Sequence, residues 1–495
     1  METFSLVIVI LSSIVAAAYW YIHHTLLYWK NRNVPHIEPE FFYGNARGIS
    51  KKFSPNEFVQ RMYLKLKSMN VGPVAGVYLL IQKSAYIMDL DLIKQILVRD
   101  FNIFTNRGIY HNEKDDPLSA NLAAVEDDAW RSLRQKITPT FTSGKLKTMF
   151  ATIMDISNTL VKTIRKESAA TGQLEIKLVL SRFTTDVIGS TAFGIECNSL
   201  EDPTTLFYQM GIKTFSNINF VKRTFLAMFS SLGKKLRMTT TNKEIGDFYM
   251  DVVKRTVNYR EQHPELHRND FLNLLLKLKG PDALTFNQLA AQSVVFFNAG
   301  FETSSTTLTF CMYELSINED IQRRARESVI KVLEKHGNEY TYEAVNDMAY
   351  VEQCINETLR LHSPALGTAR IAKRDYPIPN TNIVIEKGTT VTIPFSGIHL
   401  DPDIYPNPRK FDPDRFSPEE VEKRHPFAFL PFGEGPRICI GMRFAVLEMK
   451  IALAKILTNF EFALDRTKTT VPIIYATDRI LLAPKEDVII KFKSI

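Results

Sequence analysis

Apolar residues recur along this chain in two rhythms, one at helical spacing and one in short β-branched runs. The longest helical stretch opens at Thr285, where Gln288 three residues later makes a capping-box signature, and runs without proline to about Ile317. At about 1.5 Å per residue it predicts a rod of about 45 Å. Its centre, Phe296-Phe-Asn-Ala-Gly-Phe-Glu-Thr-Ser-Ser305, is the weakest part. Gly300 costs about 1 kcal/mol relative to alanine in a helix interior, and the hydroxyls of residues 303–307 compete for backbone carbonyls. Phe444, Leu447, Ile451, Ala454 and Leu457 predict a second helix, and Val351 to Leu361 a third that ends before Pro364. Asn382-Ile-Val-Ile-Glu386 and Val391-Thr-Ile-Pro394 read as short strands.

The segment from Thr3 to Ile22 is uncharged and mostly apolar, close to the ~20 residues a helix needs to cross a bilayer. A cleaved signal peptide is the rival reading, favoured by Ala16-Ala17-Ala18 and opposed by Glu2, which stands where such peptides carry Lys or Arg. Lys30 and Arg32 follow the segment, so the positive-inside tendency leaves the body of the chain cytosolic. Pro35 and Pro39 then favour an extended, semi-rigid tether. The expected organisation is an N-terminal transmembrane anchor at 1–27, a proline-containing linker at 28–45 and one cytosolic unit at 46–495, which no Ser/Gly-rich or charge-block linker divides.

With 45% hydrophobic residues and 33 phenylalanines, the chain has enough apolar material for a core and for an apolar ligand cavity. The formal charge of +7 is diffuse; it suits an anionic membrane surface or an acidic protein partner and argues against nucleic acid. Cys197, Cys311, Cys354 and Cys439 are widely spaced with no C-x-x-C pair, which fits a reducing compartment, with Cys311 and Cys354 as buried spectators.

Chemistry concentrates in Phe432-Gly-Glu-Gly-Pro-Arg-Ile-Cys-Ile-Gly441, a glycine-rich loop that presents Cys439 just ahead of the helix beginning near Phe444. The helix dipole and Arg437 would favour a thiolate, the form that ligates iron, and pull its pKa below about 8.5. A buried small residue and a phosphate-cradling loop are the alternatives; the second lacks the Lys-Ser/Thr or G-x-G-x-x-G register it needs. The pattern F-x-x-G-x-R-x-C-x-G, set by Phe432, Gly435, Arg437, Cys439 and Gly441, resembles the haem-binding loop of cytochrome P450 monooxygenases. The resemblance spans nearly the whole chain, through Pro139-Thr-Phe-Thr-Ser-Gly144 and Phe183-Thr-Thr-Asp-Val-Ile-Gly189, and points to the microsomal, insect-type detoxification branch.

That resemblance implies a mainly α fold with a smaller β portion (α+β), haem b (iron protoporphyrin IX) as cofactor and Cys439 as its iron ligand. Ala299-Gly300-x-Glu302-Thr303 is similar to the family's oxygen-binding groove. Thr303 would position dioxygen or an ordered water and Glu302 would replenish protons through a water chain, as O–O cleavage in a water-poor pocket requires. Close packing against another helix is the plainer reading of Gly300. Asn298 either contacts substrate or turns away to cap a carbonyl. Glu357 and Arg360 match the E-x-x-R pair, with Arg415 of Pro408-Arg-Lys-Phe-Asp-Pro-Asp-Arg-Phe416 as the third member of a structural network; a surface ion pair is the alternative. Trp130, Arg134, Arg370 and Arg437 are the expected propionate partners, although Trp130 alone would be ordinary core. Asp127 and Asp128 precede Trp130 where related sequences often carry glycine.

Substrate contacts come from scattered loops, with Tyr110, Leu118, Leu366, Ile480 and Leu481 as candidates beside Asn298. Phe215, Phe220, Phe225 and Phe229, interleaved with Lys222, Arg223, Lys234 and Lys235, suit a membrane surface or ordinary helix packing. No flavin or dinucleotide motif occurs, so electrons would come from NADPH through a separate flavoprotein reductase, with cytochrome b5 as a further donor. Arg131, Lys136, Arg443 and Lys450 are candidate docking charges. The expected activity is insertion of one atom of O2 into lipophilic small molecules, xenobiotics or endogenous lipids and hormones, at the endoplasmic reticulum membrane. A peroxide-rearranging enzyme and a non-catalytic haem-based carrier or sensor are the alternatives.

Overall fold

The computed structural model describes residues 2–216, 219–265, 270–278, 280 and 283–495. The capping box of Thr285 and Gln288 closes in both directions, and the helix behind it runs unbroken over Phe286–Ile317. Its hydroxyls do bond to the helix's own carbonyls, Thr307 to Thr303 O at 2.9 Å and Thr309 to Ser305 O at 2.7 Å, without interrupting it. Every residue from Ser304 to Ser316 is buried, so packing on all sides outweighs the local competition. Helices Ile176–Ile188, Ala349–Leu361 and Met442–Asn459 contact this rod and share one apolar core with it. At the crossing with Ile176–Ile188, a Cβ on Gly300 would come within 2.6 Å of Ile188 Cδ1. The packing reading of Gly300 is therefore correct as far as it goes.

The β portion is small and splits into three pieces. A four-stranded sheet orders Val74–Leu79, Gln82–Ile87, Thr390–Ile393 and Thr368–Ile371. Val391 lies opposite Ala85 in a parallel ladder and opposite Arg370 in an antiparallel one, which holds the Thr368–Ile371 edge beside the helical core. A three-stranded sheet joins Gln173–Glu175, Ile489–Ser494 and Phe460–Leu464, and Tyr376–Pro377 pairs with Val384–Ile385. Both β-branched runs hold strands, Val384–Ile385 shorter than its pattern and Thr390–Ile393 of equal length but one residue earlier.

At the N-terminus Glu2–Leu26 forms one helix, and its Thr3–Leu26 part is long and apolar enough to cross a membrane. The segment after it lies against the fold. Trp29 is fully buried, stacked so closely on Gly76 that a Cβ there would lie 2.3 Å from Trp29 Cγ. Its backbone N–H donates to Tyr78 Oη at 3.1 Å, and Ile37 N–H donates to Gly76 O at 3.2 Å. Apolar side chains within 28–45 thus lay the segment onto the four-stranded sheet, where the prolines keep it extended.

Glu357 and Arg360 form a bidentate pair at 2.7 and 2.8 Å with both side chains fully buried, which excludes the surface-pair alternative. Arg415 approaches Glu357 Oε1 at 3.6 Å and donates to Pro406 O at 2.6 Å. Arg360 also donates to His399 O at 2.8 Å, and His399 Nε2 accepts the Leu430 N–H at 2.9 Å. The network therefore reaches the start of the cysteine loop through a histidine that sequence reasoning did not single out. Accepting that bond requires a neutral imidazole. Burial, followed by Arg360 and Arg424, pushes His399 down to about 3.

Glu357→Ala strands the Arg360 guanidinium and should cost about 3–5 kcal/mol in urea unfolding. A loss of only a few tenths of a kcal/mol, as for an exposed pair, would contradict the buried network. Between about pH 3 and 6.5 the unfolded chain binds a proton at His399 that the folded chain excludes, so stability rises with pH and is lost on acidification from 6.5 toward 3. His399→Gln should flatten the dependence of the unfolding midpoint on pH in that window; an unchanged slope would assign it to other groups.

Candidate active site

The cysteine loop turns on two glycines at positive φ, Gly433 (72°) and Gly435 (76°), where an L side chain is strained. At Gly435 space is also refused, because a Cβ would lie 2.1 Å from Leu97 O. The Cys439 N–H donates to Phe432 O at 2.9 Å and closes the loop. Gly441 serves differently from the other two. Its φ is an ordinary −89°, a Cβ there would meet nothing within 4 Å, and it lines the central cavity, so what it supplies is room. It is also the N-cap of the helix Met442–Asn459.

Cys439 is accessible from the cavity, yet protein encloses it on nearly every other side, and that enclosure governs its solvation. Burial pushes the thiol up, against the amides of Gly441 and Met442 and the charges of Arg134 and Arg107. The expected depression is thus not met: desolvation wins, and the cations acting on the sulfur are Arg134 and Arg107, not Arg437. A ligated metal ion is what deprotonates a thiol outright in such a place.

Arg107, Arg370 and Arg437 line the same cavity, and none makes an ion pair with a carboxylate among the described residues. Arg437 gives Nη2 to Val125 O at 2.9 Å and leaves Nε and Nη1 unpartnered. Arg370 donates to Thr368 Oγ1 and Ala369 O and leaves Nε unpartnered. Burial and the neighbouring guanidiniums push Arg370 and Arg437 down to about 9. Arg107, whose Nη2 donates to Arg437 O at 3.0 Å, was not a sequence candidate. A lone arginine in a loop carries no local signal; only the fold sets it beside Arg437 and Cys439.

Trp130 and Arg134 do not line the cavity. Trp130 is buried with the Arg437 guanidinium 4.2 Å from its ring centre, so it bears on the cavity by orienting Arg437. Arg134 acts on Cys439 through its charge. The unusual Asp127 takes φ 48°, the conformation glycine tolerates best, and is held there by Asn106 and by Lys373 at 2.6 Å.

The central cavity encloses ≈ 490 Å³ between the long helix, which contributes Ala299, Gly300, Thr303, Ser304 and Thr307, and the loop bearing Phe432, Cys439 and Gly441. Thr303 Oγ1 donates to Ala299 O one turn back. Glu302 does not face this space. Consecutive helical residues point about 100° apart, and its carboxylate pairs with Lys177 Nζ at 3.0 Å and accepts from Thr306, so Glu302 makes no direct contribution to the cavity wall. Of the substrate candidates, Leu481 lines the central cavity. Leu366 and Ile480 line an outer cavity of ≈ 1270 Å³, which shares Arg107, Ile109 and residues 367–369 with the inner one. Tyr110 instead donates to Met238 O at 2.6 Å, Leu118 belongs to the core, and Asn298 lies outside the lining with Oδ1 buried and unpartnered.

A thiol on one wall, hydroxyls on another, an apolar lining between them and buried guanidiniums with free donors fit a flat, apolar metal chelate carrying acidic arms. Comparison with known proteins agrees. The family model described as Cytochrome P450 matches residues 35–492. The chain is 41% identical to "Probable cytochrome P450 6a20" of Drosophila melanogaster over 98% of its own length and 99% of that protein's. It is 40% identical to "Cytochrome P450 6A1" of Musca domestica over 100% and 99%, and 42% identical to "Cytochrome P450 6a2" of Drosophila melanogaster over 96% and 96%. The chain belongs to the cytochrome P450 family, haem-thiolate monooxygenases that bind haem b and draw electrons from a redox partner.

Proposed function

We propose that the chain oxygenates lipophilic small molecules, xenobiotics or endogenous lipids and hormones, using NADPH electrons delivered by a separate flavoprotein reductase at the endoplasmic reticulum membrane. The observation that carries this reading is the apolar cavity walled by Cys439 on one side and the Thr303 groove on the other. When bound, haem b supplies the iron at which dioxygen is activated, with the Cys439 sulfur as its protein ligand. Arg370 and Arg437, with their free N–H donors, would hold the propionates, Arg107 would add a third charge, and Trp130 keeps Arg437 in place. Ala299 and Gly300 leave the groove open, while the apolar lining keeps bulk water from the reacting oxygen. Thr303, whose Oγ1 now donates to Ala299 O, would turn that hydroxyl to a water in the groove and move a proton at its Oγ1. Glu357, Arg360 and Arg415 are structural, acting through His399 on the loop.

Access from the bilayer follows from the outer cavity. Its lining runs from Tyr21, His24 and Tyr28 at the end of the apolar helix to Arg223 and Phe229, and Leu366 opens inward. Helices Phe220–Met228 and Ser230–Lys235 expose Val221 (78%) and Leu232 beside the basic residues, which supports the membrane-surface reading of this region. For reductase docking, Arg131 and Arg443 are exposed on helices flanking the cysteine loop. Lys450 is withdrawn from that role: it is buried, paired with Glu352 at 2.9 Å and bonded to Asn346 O.

Cys439→Ala should abolish the thiolate-type spectral shift of the reduced carbon monoxide adduct together with turnover. Thr303→Ala should retain that shift but divert reducing equivalents to peroxide, read as NADPH consumed against product formed. Unimpaired coupling in Thr303→Ala would remove threonine from the mechanism. Turnover independent of reductase and NADPH would favour the peroxide-rearranging alternative.

A further inference from the structure

Two segments that wall the cavities are rooted at one buried histidine. His362 caps the helix Ala349–Leu361, is 5% exposed, and hydrogen-bonds through both ring nitrogens. Nε2 lies 2.8 Å from Glu314 Oε1 of the long helix, and Nδ1 lies 2.9 Å from Tyr475 Oη. The ring is stacked on Phe310, also of the long helix, with centroids 4.5 Å apart and planes 4° from parallel. A carboxylate accepts, so the neutral ring gives it the Nε2 proton and takes the Tyr475 O–H at Nδ1. Burial, followed by the Glu314 charge, pushes the Tyr475 hydroxyl up and keeps it a donor.

Each arm of this triad leads into a cavity wall. Just after His362, Pro364 and Ala365 line the central cavity. After Tyr475 the chain turns back on itself: Tyr475 bridges Pro484 in antiparallel fashion, Ala476 N–H donates to Ala483 O at 2.9 Å and Lys485 N–H to Ile474 O at 2.8 Å. The turn closed in this way carries Ile480 into the lining of the outer cavity and Leu481 into that of the central one. The two segments also meet directly, Leu482 N–H donating to Pro364 O at 3.3 Å. A second tie to the long helix stands beside the first, where Ile473 N–H donates to Tyr313 Oη at 3.1 Å. Glu314 follows Thr303 by about three helical turns, so the triad takes its bearing from the same face of the rod as the groove.

We infer that His362 is a specificity-determining positioning residue: bonded to Glu314 on one nitrogen and to Tyr475 on the other, it sets how far Pro364, Ala365 and Leu481 reach over the central cavity, and so the bulk of the molecule admitted there. None of His362, Glu314 and Tyr475 lines that cavity, so each acts through the segment it carries. A side chain that only filled space would need the stack on Phe310 and nothing more. This one joins three stretches distant in sequence through its polar atoms, and losing it leaves a buried acceptor and a buried donor unpaired, which only a shift of the two segments relieves. The consequence for substrates rests on the monooxygenase reading; the placing of the cavity wall does not.

The test uses the full-length holoprotein and two ligands that bind haem iron through nitrogen, imidazole and 1-phenylimidazole, which adds a phenyl group to the same ligating ring. Each is titrated by the shift of the Soret band, so no turnover is needed. His362→Phe keeps the aromatic stack and removes both hydrogen bonds; Tyr475→Phe removes one hydroxyl. Each should change the ratio of the two dissociation constants at least about fivefold with imidazole itself within about twofold, and the double variant should go no further than His362→Phe alone. Glu314→Gln keeps an oxygen to accept the Nε2 proton and should hold the ratio within about twofold. An unchanged ratio in His362→Phe or in Tyr475→Phe, even with a lowered thermal midpoint, would reduce the triad to a stabilising contact and overturn the inference, as would effects that add in the double variant. Should His362→Phe fail to fold, Tyr475→Phe set against Glu314→Gln decides. A normal reduced carbon monoxide spectrum in the variants keeps such a failure apart from a failure of the haem-thiolate reading.

Discussion

The structure is organised around positive charge that its own side chains do not balance. Arg107, Arg370 and Arg437 converge on one cavity with donors left free and no carboxylate in ion-pair contact among the described residues. Burial, with repulsion from neighbouring guanidiniums (Arg134 in the case of Arg107), holds all three below the usual arginine range. A buried charge without its partner is among the most unfavourable groups a fold can contain. Together with a desolvated cysteine aimed into the same space, the cluster makes sense as half of an electrostatic contact whose other half is a dianionic cofactor. Folding and cofactor binding are in this sense one problem.

What holds the two walls of the cavity apart is equally specific. The long helix runs unbroken through its hydroxyl-rich centre because packing surrounds it from Ser304 onward, and Gly300 admits Ile188 on one side while leaving the groove open on the other. Opposite, the cysteine loop is shaped by two left-handed glycines, one of them pressed against Leu97 O, and anchored through Leu430, His399 and Arg360 to a fully buried ion pair. The chain of contacts runs from a helix interior to the sulfur. Outward, the central cavity shares Arg107, Ile109 and residues 367–369 with a larger cavity beside the apolar N-terminal helix.

Much of this was legible in the residues. The capping box at Thr285, the E-x-x-R spacing and the ten-residue cysteine loop each describe groups that meet within a few positions of one another, so local rules suffice for them. Legibility ended where a side chain's direction mattered. Glu302 and Thr303 are neighbours in sequence but face different partners, because a helix turns about 100° per residue. Lys450 reads as a docking charge and is buried against Glu352; Tyr110 reads as a pocket residue and bonds Met238 O instead. Arg107 and His399 carry no motif at all.

The sequence by itself therefore determined the reaction class and the scaffold, since a metal-binding loop, a long amphiphilic rod and an apolar N-terminal run are set by spacing and residue type over short distances. Only the tertiary structure decided which charges stand unbalanced at the cavity, which carboxylate turns away from it, and whether the cysteine's thiol is raised or lowered. Those outcomes depend on solvent exclusion and on sums of fields from elements hundreds of residues apart, as when Arg107 meets Arg437 O. Neither quantity has any local trace in the chain.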